Sequence, residues 1–210
     1  MTRILLIRHG QTEWNRQQVF RGRADIPLSN VGIEQAIALA ERLANEPISA
    51  VYSSPLARAL ITAEHVAGPH GLQPHRVEGL IDVNFGAWEG RSHKDVRRED
   101  GELYVRWQSQ PHLVRLPDGE TLAEVRQRAM AALNDIVARH IDSTVAAVAH
   151  RAVNKVLLCA FLGLGDDAFW RIRQDTGCLD VLEFDGDQGV VVVMNDMCHL
   201  RGLEKDASDF

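Results

Sequence analysis

Cysteine is scarce in this sequence, which has only Cys159, Cys178 and Cys198 among its 210 residues. An odd number of cysteines at wide spacing favours neither a disulfide framework nor a zinc knuckle. We expect each to behave as a small apolar side chain in a reducing compartment. Long apolar runs are also missing: none approaches the ~18 residues of a membrane span, and the N-terminal run is too short for a signal-peptide core. The expected location is therefore the cytoplasm.

A surplus of positive charge is missing too. Lys and Arg number 23 against 29 Asp and Glu, so the formal net charge is −6. Nucleic acids and anionic membranes select basic proteins, so neither is an expected partner, and any anion site must be local. The hydrophobic share of 45% and the charged share of 25% are those of a globular protein. We predict one domain over residues 1–210 with a frayed tail at 204–210.

Short apolar strands alternate with amphipathic helices along the chain. Ser29 and Thr121 are predicted N-caps, the latter in a capping box with Glu124, and Ser54 is a predicted N-cap followed by Pro55 at the first helical position. Ile33, Ala36 and Ile37 recur at helical spacing after Ser29. Strands are predicted at 3–7, 48–52, 76–77, 144–149, 178–184 and 189–195, and a further helix at 153–162.

This order of elements predicts an α/β fold. Thr144 to Ala149 is apolar throughout, as in a strand that is buried on both faces of a parallel sheet. Asp185-Gly186-Asp187 marks the turn of a hairpin between the last two strands. We predict a three-layer α/β/α sandwich with a mostly parallel central sheet and a C-terminal antiparallel edge hairpin. The polar, proline-interrupted stretch near 92–120 predicts a lid-like helical excursion outside the sheet.

Charged residues follow the predicted strands at their carboxyl ends. Arg8 and His9 follow the first strand, Arg58 lies in the first turn after the second, Asp82 follows the third, and His150 ends the most apolar one. Groups in these positions meet at one edge of an open α/β sheet. Arginines fit phosphate oxygens, while histidines and a carboxylate can supply a nucleophile and transfer protons near neutral pH. The pattern favours metal-free phosphoryl transfer.

Each residue alone has a structural explanation. A histidine at a strand end is more often simply hydrogen-bonded, an arginine on a helix is more often solvated, and a loop aspartate can serve a turn. Glu89 is a competing carboxylate for the acid role. The combination, rather than any single residue, indicates a site.

The same residues resemble the histidine phosphatase superfamily in its phosphoglycerate mutase-like branch. The resemblance covers roughly residues 3 to 195 in order and spacing. Its motifs are Arg8-His9-Gly10-Gln11-Thr12 with Asn15, residues 53–59 (SSPLARA), residues 85–90 (FGAWEG) and the strand-terminal His150.

The resemblance implies a role for each site residue. His9 would be the nucleophile that forms a phosphohistidine, with its second ring nitrogen bonded to a carbonyl of its own turn. Asp82 would protonate the leaving oxygen and later deprotonate water. The phosphate would be held by Arg8, Arg58 and His150, with Asn15 as a neutral donor. Arg21, Gly22 and Arg151 are further candidates for substrate contacts, and no metal or other cofactor is implied.

The sequence departs from the family pattern in two places. Many members carry glutamate where this chain has Asp82, so the shorter side chain must be brought closer by its backbone or act through water. Many also have glycines after the second histidine, where this chain has Arg151 and Ala152. Residues 111–114 and 119–122 are similar to metal-independent phosphoserine phosphatases, but Phe85 and Arg151 differ from that group.

We therefore expect a metal-independent phosphatase that hydrolyses a small phosphomonoester. Phosphoserine, α-ribazole phosphate, sugar phosphates and phosphoglycerate derivatives all stay open as substrates. The alternatives are a cofactor-dependent phosphoglycerate mutase and a phospholigand-binding protein without turnover. The last hairpin leaves an edge strand that could pair between two copies in a homodimer.

Overall fold

A six-stranded sheet organises the chain, with strand order β3-β2-β4-β1-β5-β6. The computed structural model describes residues 1–186 and 188–203. Asp187 of the predicted hairpin turn and the predicted frayed tail at 204–210 lie outside the described residues. The strands are β1 Thr2–Arg8, β2 Ile48–Ser53, β3 His75–Arg76, β4 Thr144–Ala149, β5 Leu179–Asp185 and β6 Gln188–Asp196.

Strand direction confirms the predicted sheet. β4 pairs in parallel with β1 on one side and with β2 on the other, and β2 pairs in parallel with β3. β5 runs antiparallel to β1, and β6 runs antiparallel to β5 at the sheet edge. The parallel strands β1, β2 and β4 thus direct their carboxyl ends, and the residues that follow them, to the same side of the molecule.

Helices cover both faces of this sheet, which confirms the α/β class. Ile4 and Leu6 of β1 pack into the core beneath the helices Leu122–Arg139 and Arg151–Phe161, whereas Leu5 and Ile7 pack into the core beneath the helices Asn30–Leu43 and Ala57–Ala67. None of the helices in the described ranges is long and apolar enough to cross a membrane. The helices are α1 Glu13–Arg16, α2 Asn30–Leu43, α3 Ala57–Ala67, α4 His93–Glu99, α5 Gly101–Ser109, α6 Leu122–Arg139 and α7 Arg151–Phe161.

The structure confirms two of the three predicted helix N-caps. Ser29 caps α2 and Thr121 forms the capping box of α6 with Glu124. The prediction for Ser54 is wrong, because α3 begins at Ala57 with Leu56 as its N-cap. The Ser54 hydroxyl is instead hydrogen-bonded to the His150 ring at 2.7 Å. Ser54 thus binds the histidine that follows β4.

The excursion near 92–120 is helical, as predicted, and contributes to the main core. It contains α4, α5 and a 3₁₀ turn at Pro111–Leu113. Tyr104 and Trp107 of α5, with Val114 and Leu116 beyond it, are buried in the core on the α6–α7 side of the sheet. This segment is therefore anchored to the body of the protein by apolar side chains.

Candidate active site

His9 lies directly beyond β1 in a buried turn. Its amide donates to the Ala149 carbonyl at 3.1 Å, which ties the ends of β1 and β4 together. Gly10 packs against the Gly32 backbone of α2, where a Cβ would collide with the carbonyl oxygen. The His9 Nδ1 atom lies 2.6 Å from the Gly10 carbonyl oxygen. Because that oxygen only accepts, Nδ1 is the protonated nitrogen and Nε2 keeps the lone pair.

His150 faces His9 at the end of β4. The two rings are 5.1 Å apart between centroids and meet edge to face. Burial, followed by the nearby Arg58, lowers the pKa of each histidine well below its usual value of 6.5. Both rings are therefore neutral near pH 7, as a nucleophilic imidazole must be.

Arg58 lies in the first turn of α3, with its side chain fully buried. Its guanidinium donates to the carbonyls of Ala24 at 2.8 Å and Gly22 at 2.7 Å, and to Asp82 Oδ2 at 3.1 Å. Gly22 has a positive φ of 50°, and a Cβ there would collide with the Glu89 carboxylate. Gly22 thus contacts Arg58 through its carbonyl oxygen, in a backbone conformation that leaves no room for a side chain.

Arg8 is anchored by a separate set of buried contacts. Its guanidinium donates to the Gln174 carbonyl at 2.6 Å. The Gln174 side chain accepts from Asn154 at 3.1 Å and donates to Asp180 at 2.7 Å. All four residues are buried, so a polar network behind Arg8 fixes its position.

Asp82 is the carboxylate that lies beside His150 and Arg58. Its Oδ2 atom lies 3.6 Å from His150 Nδ1, and its Oδ1 atom accepts from the Val83 amide at 2.9 Å. Glu89 instead accepts from the backbone amides of Arg23 at 2.9 Å and Phe85 at 3.1 Å. Glu89 therefore holds two loops together, and Asp82 is the better placed acid.

The remaining predicted residues surround this centre less directly. Asn15 accepts from the Thr12 amide and hydroxyl, each at 2.8 Å, and so closes the turn after His9. Arg21 is near enough to both histidines to help lower their pKa values. The Arg151 guanidinium lies over the Trp170 ring, 5.2 Å from its centroid.

Sequence reasoning missed the residues that hold the Asp82 segment. Arg128 of α6 donates to the carbonyls of Gly79, Ile81 and Asp82 at 3.0, 2.5 and 3.0 Å. Glu120 accepts from Arg128 at 3.0 Å and from the Asn84 amide at 2.9 Å. Contacts to backbone carbonyls leave no motif in a sequence, so the sequence carried no signal for these residues.

Within the described part of the chain, no group of three or more His, Cys, Asp or Glu side chains is placed to hold a metal ion. What the site offers is a neutral imidazole with a fixed tautomer, two buried guanidinium groups, a second neutral imidazole and a carboxylate. Such a set can bind a phosphate, attack it and move one proton.

Comparison with known proteins points to the same chemistry. The model of the histidine phosphatase superfamily (branch 1) matches residues 4–197. The chain is similar to phosphoserine phosphatase 1 of Hydrogenobacter thermophilus, with 32% identity over 95% of each chain. It is also similar to adenosylcobalamin/alpha-ribazole phosphatase of Escherichia coli, with 30% identity over 92% of this chain and 95% of that one. Among solved structures, Bacillus stearothermophilus YhfR superimposes with a TM-score of 0.92 and 34% identity, covering 95% of this chain and all of that one.

Proposed function

Because the chain belongs to the histidine phosphatase superfamily, branch 1, we propose that it is a metal-independent phosphatase that hydrolyses a small phosphomonoester through a phosphohistidine on His9. Two of its relatives are named as phosphatases, which supports hydrolysis as the reaction. The observation that carries the proposal is the buried, neutral His9 with Nδ1 bonded to the Gly10 carbonyl at 2.6 Å. This tautomer presents the Nε2 lone pair for attack.

In the first step His9 Nε2 attacks phosphorus and the bond from phosphorus to the ester oxygen breaks. The positive charge that develops on the ring is stabilised by its hydrogen bond to Gly10. Asp82 acts as the general acid and gives its proton to the leaving oxygen, so the product alcohol leaves neutral. The phosphoryl group stays on His9.

In the second step a water attacks phosphorus and the bond to His9 breaks. The Asp82 carboxylate takes the proton from this water, which restores the protonated acid. Inorganic phosphate leaves, and the neutral His9 ring returns to its starting tautomer. One carboxylate therefore acts as acid and then as base.

The oxygens of the transferring group would be held by Arg8, Arg58 and His150, with the Asn15 amide nearby. Two guanidinium groups compensate the charge of the phosphate, and buried surroundings strengthen that attraction. Because Arg8 and Arg58 are anchored by backbone carbonyls, little reorganisation is needed when phosphate binds.

A phosphate-release assay with a chelator present tests this function. The wild-type protein should release inorganic phosphate from at least one ester in a panel of metabolites. His9→Ala should lose at least about 10³-fold in kcat, while His112→Ala, which replaces an exposed histidine, should keep the wild-type rate. Full activity of His9→Ala, or activity only when a metal is added back, would overturn the proposal.

Two other outcomes would identify the alternatives. Conversion of 3-phosphoglycerate into its isomer without phosphate release would indicate a mutase. Binding of inorganic phosphate with no turnover of any ester, aryl phosphates included, would indicate a binding protein. Either result would replace the hydrolytic function.

A further inference from the structure

A pocket is lined in part by Asp82, the residue that would protonate the leaving oxygen. The inference that follows therefore rests on the proposed function. The lining of the pocket includes five aromatic side chains, which we call the ring wall: Phe20, Phe85, Trp107, Phe169 and Trp170. The alcohol portion of the substrate must lie against this wall if the phosphate lies against His9.

The rings of this wall support one another. The Trp170 indole N–H donates to the Trp107 carbonyl at 2.7 Å. Phe85 meets Trp107 edge-on with the centroids 5.7 Å apart, and meets Phe20 at 5.0 Å. Because neighbouring rings meet edge to face, they hold one another in place and offer a preorganised apolar surface, against which another ring can pack at low entropic cost.

The charged groups of the pocket are mostly cationic. Arg21 and Arg151 also line it. Among the described residues of the lining, Asp82 is the single carboxylate, and it is paired with Arg58 at 3.1 Å. A substrate ammonium group in this pocket would find no carboxylate free to neutralise it, and it would lie near two guanidinium groups. Burying such a charge without a partner is unfavourable.

We propose that this pocket selects phosphomonoesters whose alcohol carries a flat, apolar ring and no ammonium group. Phosphoserine, whose ammonium group lies two carbons from the ester oxygen, is disfavoured. The ring of the preferred alcohol stacks against the ring wall while its ester oxygen faces Asp82.

Four esters of primary alcohols separate the two parts of this proposal, because their ester oxygens are all alkyl. They are 2-phenylethyl phosphate, propyl phosphate, phosphoserine and 3-phosphooxypropanoate, the last being phosphoserine without its ammonium group. We expect kcat/KM for 2-phenylethyl phosphate to exceed that for propyl phosphate by about tenfold or more. We expect 3-phosphooxypropanoate to exceed phosphoserine by a similar factor.

A variant of the ring wall links the preference to the pocket. Phe85→Leu keeps an apolar side chain but removes the flat ring, and Phe85→Ala removes both. Either should reduce the ratio of kcat/KM for 2-phenylethyl phosphate over propyl phosphate at least about fivefold. Phe161→Ala is the matched control, because Phe161 is also half-buried and also meets another ring edge-on, Phe184 at 5.2 Å, outside the pocket. That variant should keep the wild-type ratio.

Different outcomes of these assays contradict the pocket proposal and the proposed function. All four esters could release phosphate while kcat/KM for phosphoserine equals or exceeds kcat/KM for 2-phenylethyl phosphate. That result would overturn the pocket proposal but would leave the hydrolytic function in place. An unchanged ratio in both Phe85 variants would also overturn it. No phosphate release from any ester would instead contradict the proposed function itself.

Discussion

Single residues at this site have properties that their neighbours impose. His9 and His150 are neutral because burial and nearby arginines lower their pKa values. The sequence could predict that these histidines lie at strand ends, since apolar runs precede both. It could not predict that Ser54 would bond to His150 instead of capping α3, because a serine before a proline suits both uses.

Asp180 gives a test of the buried network behind Arg8. Burial raises the pKa of this carboxyl from 3.8 to about 7, although Gln174 and the Asn195 amide donate to it. Between these values the folded protein holds a proton that the unfolded chain releases, so stability falls as the pH rises from about 4 to 7. A shift of about three units corresponds to at most about 4 kcal/mol.

We therefore expect Asp180→Asn to remove this part of the pH dependence of stability. The measurement is the free energy of unfolding in urea at pH 5 and pH 8. The free energy of unfolding of the variant, minus that of the wild type, should be larger at pH 8 than at pH 5. Asp185→Asn, at the exposed end of the same strand, should follow the wild type. Parallel curves for Asp180→Asn and the wild type would show that Asp180 does not titrate in this range.

At the scale of elements, α2 shows why a hydrophobic pattern can mislead. Ile33 and Ile37 recur at helical spacing with the buried Ala36, yet they are 38% and 42% exposed. Gln35 is buried instead, because its side chain accepts from the Gln11 amide at 2.9 Å and donates to Thr176 at 3.2 Å. The helix is rotated toward the turn that carries His9, and a polar residue on its inner face supports that turn.

The segment that carries Asp82 depends on α6 in the same way. Arg128 donates to three backbone carbonyls of this segment, and these contacts fix the position of the Asp82 backbone. Loss of Arg128 should therefore weaken protonation of the leaving oxygen more than phosphate binding. Alkyl phosphates need that proton, whereas aryl phosphates with good leaving groups need it little.

We expect Arg128→Ala to lower kcat/KM about 10²-fold for an alkyl phosphate and less than about fivefold for 4-nitrophenyl phosphate. Asp82→Asn should show the same contrast, because it removes the acid itself. Arg126→Ala is the control on the same helix, since Arg126 binds Asp166 and the Leu164 carbonyl instead. Equal losses for both substrates in Arg128→Ala would mean that the variant damages the site as a whole.

At the scale of the whole molecule, the sheet topology explains why the site could be predicted. Parallel strands β1, β2 and β4 carry their following residues to one edge, so His9, Arg58 and His150 meet although they are distant in sequence. Alternation of strands and helices is visible in a sequence. The residues of the ring wall come from several separate segments that share no periodicity, and Arg128 contacts only backbone carbonyls of the Asp82 segment, so neither could be predicted.

A protein of net charge −6 can attract an anion through a local group of cations. Its cations at the site are buried and fixed, so they act at short range in surroundings of low polarity. The overall charge is then of little consequence once the phosphate has entered. Arg8 and Arg58 are the buried guanidinium groups on which this local attraction depends.

The central claim is a covalent phosphoryl group on His9, and trapping that group tests it most directly. The protein is mixed with a rapidly hydrolysed ester, quenched in alkali within one turnover and digested for mass spectrometry. We expect phosphate on the peptide that contains His9, stable in alkali and lost in acid, and none in His9→Ala. Phosphate release without any phosphorylated peptide, or phosphorylation of another residue, would contradict the account.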